Sequence, residues 1–283
     1  MTNLRSLTDQ LTAVATERLG FKTELSTPKI EALLRAMPES AREDYCHSVL
    51  GAELESKAFR AFAEALLVHE TYFFRHPHQM RLLASEILPR LLRTRLALDN
   101  REFSVWCAGC SSGEEVYTIA LLVATALAAT PESRHQRATV LGTDLSVAAL
   151  TQAKRGEYAL VPGLNSFRDV PDFARHYFQN IFSEISTTWS PGPEVRRLTR
   201  FQQHNLVNDP PPQTDFDLIL CRNTLIYFDD PGTQRALRSL ESALRPGGVL
   251  MLGPAESPRE DSRLSTTCVG QVMFWTKPMG GPP

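Results

Sequence analysis

The feature of this sequence that most restricts its fold is a regular alternation of short apolar runs and helical segments, which begins at Glu102. The apolar runs read FSVWCA, ATVLGT, FDLILC and VLMLG, and the segments between them include EEVYTIALLVATALAA, SVAALTQAK and TQRALRSLESAL. Strands and helices in such a rhythm are typical of a parallel sheet with helices on both faces. We therefore predict an α/β fold with a Rossmann-like sheet.

The chain before this alternation reads as helical. Apolar residues recur there at helical spacing, namely Leu7, Leu11 and Val14, then Ile30, Leu33 and Leu34. We interpret residues 1–68 as a small helical N-terminal domain and residues 69–100 as a linker, in which Pro77 and Pro89 are expected to interrupt the helix. Residues 101–283 would then form the main domain.

Between about residues 156 and 200 the alternation breaks. The second half of this stretch has strand-favouring residues around a Pro-Gly-Pro turn, Pro191 to Pro193. We interpret it as an inserted β-subdomain that carries a small antiparallel piece.

Composition and charge exclude several classes of partner. The chain has 30 basic and 32 acidic residues, so it lacks the basic excess of a nucleic-acid-binding protein. No apolar stretch is long enough to cross a membrane, and the first 20 residues lack the apolar core of a signal peptide. The five cysteines are odd in number and scattered, which fits a reducing compartment. We expect a cytoplasmic protein without nucleic-acid partners or direct membrane insertion.

The segment VWCAGCSSGEE, residues 105–115, predicts a ligand-binding loop. An apolar strand leads into Gly109 and Gly113, so small residues lie where the backbone must turn tightly and let a ligand approach. The segment has neither a Walker lysine nor a complete G-x-G-x-x-G pattern. Its two acidic residues would repel a phosphate, whereas Glu115 could pair with an ammonium group. This favours S-adenosylmethionine over NAD or ATP.

Two further strand ends carry polar residues. Asp144 ends the second strand, where a carboxylate can bind ribose hydroxyls, although it could instead be the N-cap of the next helix. Arg222, Asn223 and Tyr227 follow a buried strand, at the sheet edge where ligands bind in open α/β folds. Tyr227 could pack half-buried, or its ring could lie near a sulfonium and attract it by a cation–π interaction.

Six segments together closely resemble the CheR family of chemotaxis receptor methyltransferases. They are HETYFFR (69–75), AGCSSGEE (108–115), Asp144, HNL (204–206), CRNTLIYFD (221–229) and LRPGGVLMLGPAES (244–257). The resemblance covers most of the chain and implies a class I methyltransferase sheet. It also implies S-adenosyl-L-methionine as cofactor, with S-adenosyl-L-homocysteine as product, and the cytoplasmic helices of methyl-accepting chemotaxis receptors as partners.

The resemblance implies a role for each matched residue and no metal site. His69, Thr71 and Arg75 would close over the cofactor, Glu115 would hold its amino-acid end, and Asp144 its ribose. The residues that would line its adenosine and methionine parts are Asn205, Leu206, Arg222 and Asn223. Tyr227 would lie close to the methyl group, so that Arg75 and Tyr227 are the predicted catalytic residues.

The chain departs from the family pattern at two places. His69 stands where the family usually has asparagine, and an imidazole can still donate or accept a hydrogen bond. Gly253, Pro254, Ala255 and Glu256 stand where the family has Gly-His-Ser-Glu. The second departure bears on the receptor substrate more than on the cofactor.

The implied substrate predicts a mechanism without a general base. A glutamate side chain, with a reference pKa of about 4.3, is already ionised at neutral pH and can attack the methyl group directly. The enzyme would align the carboxylate, the methyl group and the sulfur and exclude water. Arg75 could steer either the incoming carboxylate or the carboxylate of the cofactor.

Two other functions are compatible with parts of the sequence. Gly109 to Gly113 matches the G-x-S-x-G nucleophile elbow, and Ser111, Asp144 and His204 follow in the order of an α/β-hydrolase triad. His204, however, precedes two predicted core strands, and no HGGG-type segment lies upstream. A non-catalytic scaffold that keeps the fold, or a methyltransferase for another protein, is the second alternative.

The remaining chemistry-bearing residues have structural interpretations. Cys107 and Cys110 form a C-x-x-C pair without a second pair at zinc-ligand spacing, so we expect buried thiols. His76 and His78, on either side of Pro77, are expected in a solvated turn. The aromatic residues Tyr72, Phe73 and Phe74 are expected to be packing residues.

Overall fold

A computed structural model describes residues 3–54, 56–98, 102–130, 132, 136–159, 165–168, 170–178 and 188–279. The α-helices within these ranges are α1 (Leu4–Leu19), α2 (Thr23–Arg35), α3 (Glu39–Leu50), α4 (Lys57–Leu66), α5 (Pro77–Leu82), α6 (Leu88–Ala97), α7 (Glu114–Ala129), α8 (Val147–Arg155), α9 (Pro193–Leu198) and α10 (Asp230–Ala243). The strands are β1 (Glu102–Ala108), β2 (Arg137–Asp144), β3 (Tyr158–Ala159), β4 (Thr188–Trp189), β5 (Thr199–Gln203), β6 (Phe216–Cys221), β7 (Leu244–Leu252), β8 (Ser265–Val269) and β9 (Val272–Thr276).

The main sheet has seven strands in the order β5-β2-β1-β6-β7-β9-β8. The first five are parallel, and β9 and β8 complete the sheet as an antiparallel hairpin. Strand order reverses between β1 and β6, and ligands bind at such a switch point, beyond the carboxyl ends of the strands. The predicted Rossmann-like sheet is confirmed.

Side chains of the central strands alternate between two buried clusters, as the period of a strand requires. Val105 and Cys107 join α5, α6 and α7 on one face. Trp106 and Ala108 join α1 to α4 and α10 on the other. Because the first four helices share a core with the sheet, the division of the chain into domains at residue 68 stays a prediction.

One prediction about the strands needs correction, and three strands, β5, β8 and β9, were not predicted. The Pro-Gly-Pro segment does not connect two antiparallel strands, because Pro193 begins α9. After α9 the chain enters β5, a parallel strand that was not predicted. The hairpin of β8 and β9 was also missed. Helix α10 ends at Ala243, and the chain passes directly into β7, which contains Gly247 and Gly248.

The small antiparallel piece is confirmed, although its strands differ from those expected. It is a two-stranded sheet in which β3 pairs with β4. Parts of the predicted insertion, residues 160–164, 169 and 179–187, lie outside the described residues. Of the two expected helix breaks, the one at Pro77 is present, because Pro77 begins α5. The one at Pro89 is wrong: α5 continues through a π-helical segment, Leu83–Ile87, directly into α6, and Pro89 lies in the first turn of α6 without interrupting the helix. A search of the described residues found no helix with the length and apolar character needed to span a membrane.

Candidate functional site

A cavity opens at the carboxyl ends of β1, β2 and β6, and all of the predicted site residues line it. They are His69, Thr71, Arg75, Glu115, Asp144, Asn205, Leu206, Arg222, Asn223 and Tyr227. One wall of this cavity, formed by α1, α2 and the turn between them, was not predicted; its residues are Leu19, Phe21, Leu25, Ser26 and Lys29. The topology thus brings together residues that are more than 150 positions apart in the chain.

The loop between β1 and α7, residues 109–113, turns as the glycine pattern predicted. Gly109 and Gly113 have φ angles of 74° and 94°, which favour glycine, and Ser111 between them also has a positive φ, 49°. The amides of Gly109 and Cys110 both donate to the Thr143 carbonyl, at 2.8 and 2.9 Å. We call residues 109–113 the cofactor loop.

Asp144 ties the cofactor loop to the end of β2. Its Oδ2 accepts a hydrogen bond from the Ser111 amide at 2.7 Å, and its Oδ1 accepts one from the Ser146 amide at 2.9 Å. The N-cap of α8 is Ser146, so the interpretation of Asp144 as a helix cap is wrong. Burial raises the pKa of the Asp144 carboxyl, while the two amides favour its ionised form.

Arg222 forms the most extensive polar contacts of the cavity wall. Its Nη1 donates to Glu115 Oε2 at 2.6 Å, its Nε donates to Gln79 Oε1 at 2.8 Å, and its Nη2 donates to the Arg75 carbonyl. The side chain is 1% exposed. Glu115 is therefore already ion-paired, and burial raises its pKa while Arg222 opposes the rise. Gln79 was not predicted, because no motif in the sequence contains it. Its contact with Arg222 follows from its buried position on α5.

Glu256 holds the chain that follows β6. Its carboxylate accepts hydrogen bonds from the amides of Gly253 and of four consecutive residues, Asn223 to Ile226, at 2.7 to 3.3 Å. Its carboxylate charge offsets the strain of Asn223, which has a φ of 56°. Sequence reasoning assigned Glu256 no role, although it belongs to the PAES motif.

The linker residues contact both sides of the cavity. His69 Nε2 lies 3.0 Å from Glu64 Oε1, which also accepts a hydrogen bond from Ser146 Oγ at 2.6 Å. His76 does not lie in a solvated turn, as expected. It is half-buried, and its Nε2 donates to Asn223 Oδ1 at 2.9 Å, because a positive φ of 59° turns it toward β6. His78 is exposed.

Tyr227 is held by the turn between α1 and α2. The Lys22 amide donates to the Tyr227 carbonyl at 3.0 Å, and the rings of Phe21 and Phe228 stack with centroids 6.1 Å apart. The Tyr227 side chain is half-buried on the cavity wall, and burial raises the pKa of its phenol. Its hydroxyl is therefore protonated at neutral pH.

Asn205 and Leu206 extend the wall beyond β5. Asn205 Oδ1 accepts a hydrogen bond from the Val207 amide at 3.1 Å, and Asn205 Nδ2 lies 3.4 Å from the Arg18 carbonyl at the end of α1. Leu206 is buried beside it. These contacts fix the position of the HNL motif against the first helix.

The geometry does not form a hydrolase triad. Ser111 Oγ is buried and, among the described residues, has no hydrogen-bond partner. His204 Nε2 instead lies 2.9 Å from the Pro210 carbonyl, and both Asp144 oxygens accept from backbone amides. A nucleophilic serine requires a hydrogen-bonded base that is oriented by a third group, and neither contact is present here.

The thiols and the linker aromatics have the structural positions that were predicted. Cys107 and Cys110 are free and buried, and burial raises the pKa of both thiols well above the ordinary value. Phe73 and Phe74 are fully buried, and Tyr72 is half-buried with the Arg168 guanidinium 4.4 Å from its ring centre. Across the described ranges, no cluster of three or more histidine, cysteine or acidic residues could hold a metal ion.

The cavity has polar atoms available for a ligand that carries both a positive and a negative charge. Over the part of the chain that the structure describes, buried Arg75 Nε, Ser111 Oγ and His204 Nδ1 on its wall have no hydrogen-bond partner. Buried polar atoms of this kind are costly unless a ligand or water pairs with them. Carboxylates at Glu115 and Asp144 and the guanidinium at Arg75 suit the ammonium, ribose and carboxylate groups of S-adenosylmethionine.

Comparison with known proteins gives consistent matches. The family model described as CheR methyltransferase, SAM binding domain, matches residues 69–273. A chemotaxis protein methyltransferase of Listeria innocua serovar 6a is 34% identical over 69% of this chain and 68% of its own length. Chemotaxis protein methyltransferase 2 of Vibrio cholerae serotype O1 is 32% identical over 72% of this chain and 68% of its own length.

Replacing Asp144 with alanine is expected to weaken the binding of S-adenosylhomocysteine by more than about 1 kcal/mol, because the Ser111 amide loses a charged acceptor. Calorimetric titration measures this, and circular dichroism checks that the fold survives. Asp229→Ala is the matched control, since Asp229 also accepts from a backbone amide, that of Gly232, but caps α10. An Asp144→Ala protein that is destabilised and binds as tightly as wild type would leave Asp144 a purely structural role.

Replacing Ser111 with alanine is expected to leave methyltransferase activity within a few-fold of wild type. The loop requires a small residue at this position, and the Ser111 hydroxyl has no protein partner to lose within the described structure. Initial rates with labelled S-adenosylmethionine measure the effect. Complete loss of activity with unchanged cofactor affinity would restore Ser111 as a candidate nucleophile.

Proposed function

Because the chain belongs to the CheR methyltransferase family and carries its S-adenosylmethionine-binding domain, we propose that it transfers methyl groups to glutamate side chains of chemotaxis receptors. The observation that carries the proposal is the single cavity lined by every residue that the family motifs predicted. The relatives named as chemotaxis protein methyltransferases support the receptor as substrate.

The proposed roles in cofactor binding follow from the cavity wall. Bound there, S-adenosylmethionine supplies an electrophilic methyl group on a sulfonium. Glu115 and Arg75 bind its amino-acid end, Asp144 its ribose, and Asn205, Leu206, Arg222 and Asn223 line the rest. His69 and Thr71 cover the cavity from the linker. The Glu115–Arg222 pair leaves the wall with balanced charge, which suits a ligand that carries both an ammonium and a carboxylate.

The proposed reaction needs no general base. A substrate glutamate, with a reference pKa of about 4.3, arrives ionised, so the protein has no proton to remove. Tyr227 keeps its own proton and offers a neutral aromatic face to the sulfonium. Leu25, Val68 and Phe228 give the cavity an apolar part of its wall, and a bound substrate that covers them would shield its carboxylate from water and so make it a stronger nucleophile.

Arg75 is the proposed residue for steering a carboxylate. Its Nη1 donates to the Glu70 carbonyl at 2.7 Å, and its Nη2 lies 3.8 Å from Glu70 Oε1. The Nε of the same guanidinium, within the described structure, is buried without a partner. A weak ion pair at 3.8 Å can be exchanged at little cost for a two-point pair with a carboxylate, either that of the cofactor or that of the incoming substrate.

The proposal is tested by the chemistry of the product. Incubation with labelled S-adenosylmethionine and receptor-containing membranes is expected to place label on glutamates as methyl esters, since a carboxylate is the only nucleophile that this mechanism uses. Esters release methanol in mild alkali, so the label is expected to become volatile. Base-stable label would indicate methylation of nitrogen or sulfur. Absence of protein label despite tight binding of S-adenosylhomocysteine would favour a scaffold or another protein substrate.

Replacing Arg75 with alanine is expected to lower kcat/KM for the receptor by about 100-fold or more, because a charge-assisted pair that aligns the reactants is lost. Arg168→Ala is the matched control. Arg168 also pairs with Glu70, at 2.6 Å, and also contacts the Tyr72 ring, but it does not line the cavity. Equal losses in the two variants would mean that Arg75 acts only through Glu70 and Tyr72.

A further inference from the structure

The cofactor loop is fixed from a second side, by the insertion. Opposite Thr143 and Asp144, the Tyr158 hydroxyl of β3 donates to the Ser112 carbonyl at 2.7 Å. Burial raises the pKa of this phenol, so the hydroxyl keeps its proton and stays a donor. Space beside the loop is limited, so a side chain at Gly113 would collide with Ala153 and crowd the Tyr158 hydroxyl.

Glu114 adds a second connection between the loop and the insertion. Its buried carboxylate accepts hydrogen bonds from Ser112 Oγ at 2.7 Å and from Ser166 Oγ at 2.6 Å. The Ser166 carbonyl in turn accepts from the Phe73 amide at 2.9 Å. A chain of hydrogen bonds thus runs from the linker through the insertion to Ser112.

A buried aromatic cluster keeps these donors in place. The Phe73 ring lies 5.0 Å from Tyr158, 5.0 Å from Phe167 and 4.9 Å from Trp189, between ring centres. Tyr117 of α7 joins the cluster, 6.0 Å from Tyr158. The two short strands of the insertion therefore form a rigid support behind the loop.

We infer that Tyr158 and Glu114 are positioning residues for the cofactor. They fix the carbonyl and the hydroxyl of Ser112 and thereby hold the cofactor loop in its ligand-accepting conformation. Ser111 has a positive φ, which a serine adopts only when surrounding contacts impose it. The hydrogen bonds of Tyr158 and Glu114 to Ser112, together with that of Asp144 to Ser111, supply these contacts. The inference rests on the proposed function only for the identity of the ligand.

The test compares two tyrosines of the same cluster. Tyr158→Phe removes the donor to Ser112, whereas Tyr117→Phe removes a matching hydroxyl that donates to the Ala153 carbonyl of α8 at 2.8 Å rather than to the loop. By calorimetry with S-adenosylhomocysteine, Tyr158→Phe is expected to raise Kd by about fivefold or more, the scale of one lost hydrogen bond. Tyr117→Phe is expected to leave Kd within about twofold, although both lower the melting temperature.

Kinetics separate positioning from general damage. For Tyr158→Phe, KM for S-adenosylmethionine is expected to rise with Kd, while kcat at saturating cofactor stays within about twofold of wild type. Ser166→Ala, which removes one donor to Glu114, is expected to change Kd and KM in the same direction, and it decides the matter if Tyr158→Phe fails to fold. Unchanged Kd in the folded variant, or equal weakening by Tyr158→Phe and Tyr117→Phe, would overturn the inference.

The binding measurement does not depend on the methyl acceptor. Wild-type protein that binds S-adenosylhomocysteine but methylates no receptor would overturn the proposed function and leave the comparison of the tyrosines valid. The converse result is receptor methylation by the wild-type protein, with Tyr158→Phe and Ser166→Ala variants that bind S-adenosylhomocysteine as tightly as wild type. That result would support the proposed function and overturn the inference about Tyr158 and Glu114.

Discussion

The site depends on one constraint of parallel sheets, namely that neighbouring strands end at the same edge. Beyond that edge the backbone amides of the loops no longer have hydrogen-bond partners in a neighbouring strand. Two carboxylates satisfy these amides. Asp144 accepts from the loop after β1 and from the turn after β2, and Glu256 accepts from the turn after β6 and from Gly253 after β7. The loops after β1 and β6 are therefore each tied to the end of a neighbouring strand by charge-assisted hydrogen bonds, which explains how Ser111 and Asn223 are kept at positive φ.

Sequence patterns predicted the sheet and the position of the cavity, because both follow from local signals. Apolar runs marked β1, β2, β6 and β7, and Gly109 and Gly113 marked the turn. Strand β5 was missed because its sequence, TRFQQ, is mostly polar, as befits an edge strand with three exposed residues. The role of His76 was missed because it depends on Asn223, 147 positions away, and no local pattern contains such a pair.

The same limit applies to the residues that support the site. Glu256 was visible as part of a motif, but four of its five amide partners come from a turn about 30 residues earlier in the chain. Arg222 was predicted to line the cofactor, yet most of its hydrogen-bonding capacity is used on Glu115, Gln79 and the Arg75 carbonyl. A sequence reveals which residues lie at a strand end, whereas their hydrogen-bond partners are determined by the packing of the linker and α7 against that end.

A methyl-donor site must also keep its own nucleophiles inactive, and burial explains how this one does so. Cys110 lies on the cavity wall, and its thiolate would attack an electrophilic methyl group more readily than a carboxylate would. Desolvation, reinforced by the negative charge of Asp144, raises the pKa of the Cys110 thiol well above its ordinary value. Burial likewise raises the pKa of the Tyr227 phenol. At neutral pH both groups therefore remain protonated, whereas the glutamate of the proposed substrate arrives from solvent ionised, so that the protonation states favour methyl transfer to that carboxylate over methylation of the protein's own thiol or phenol.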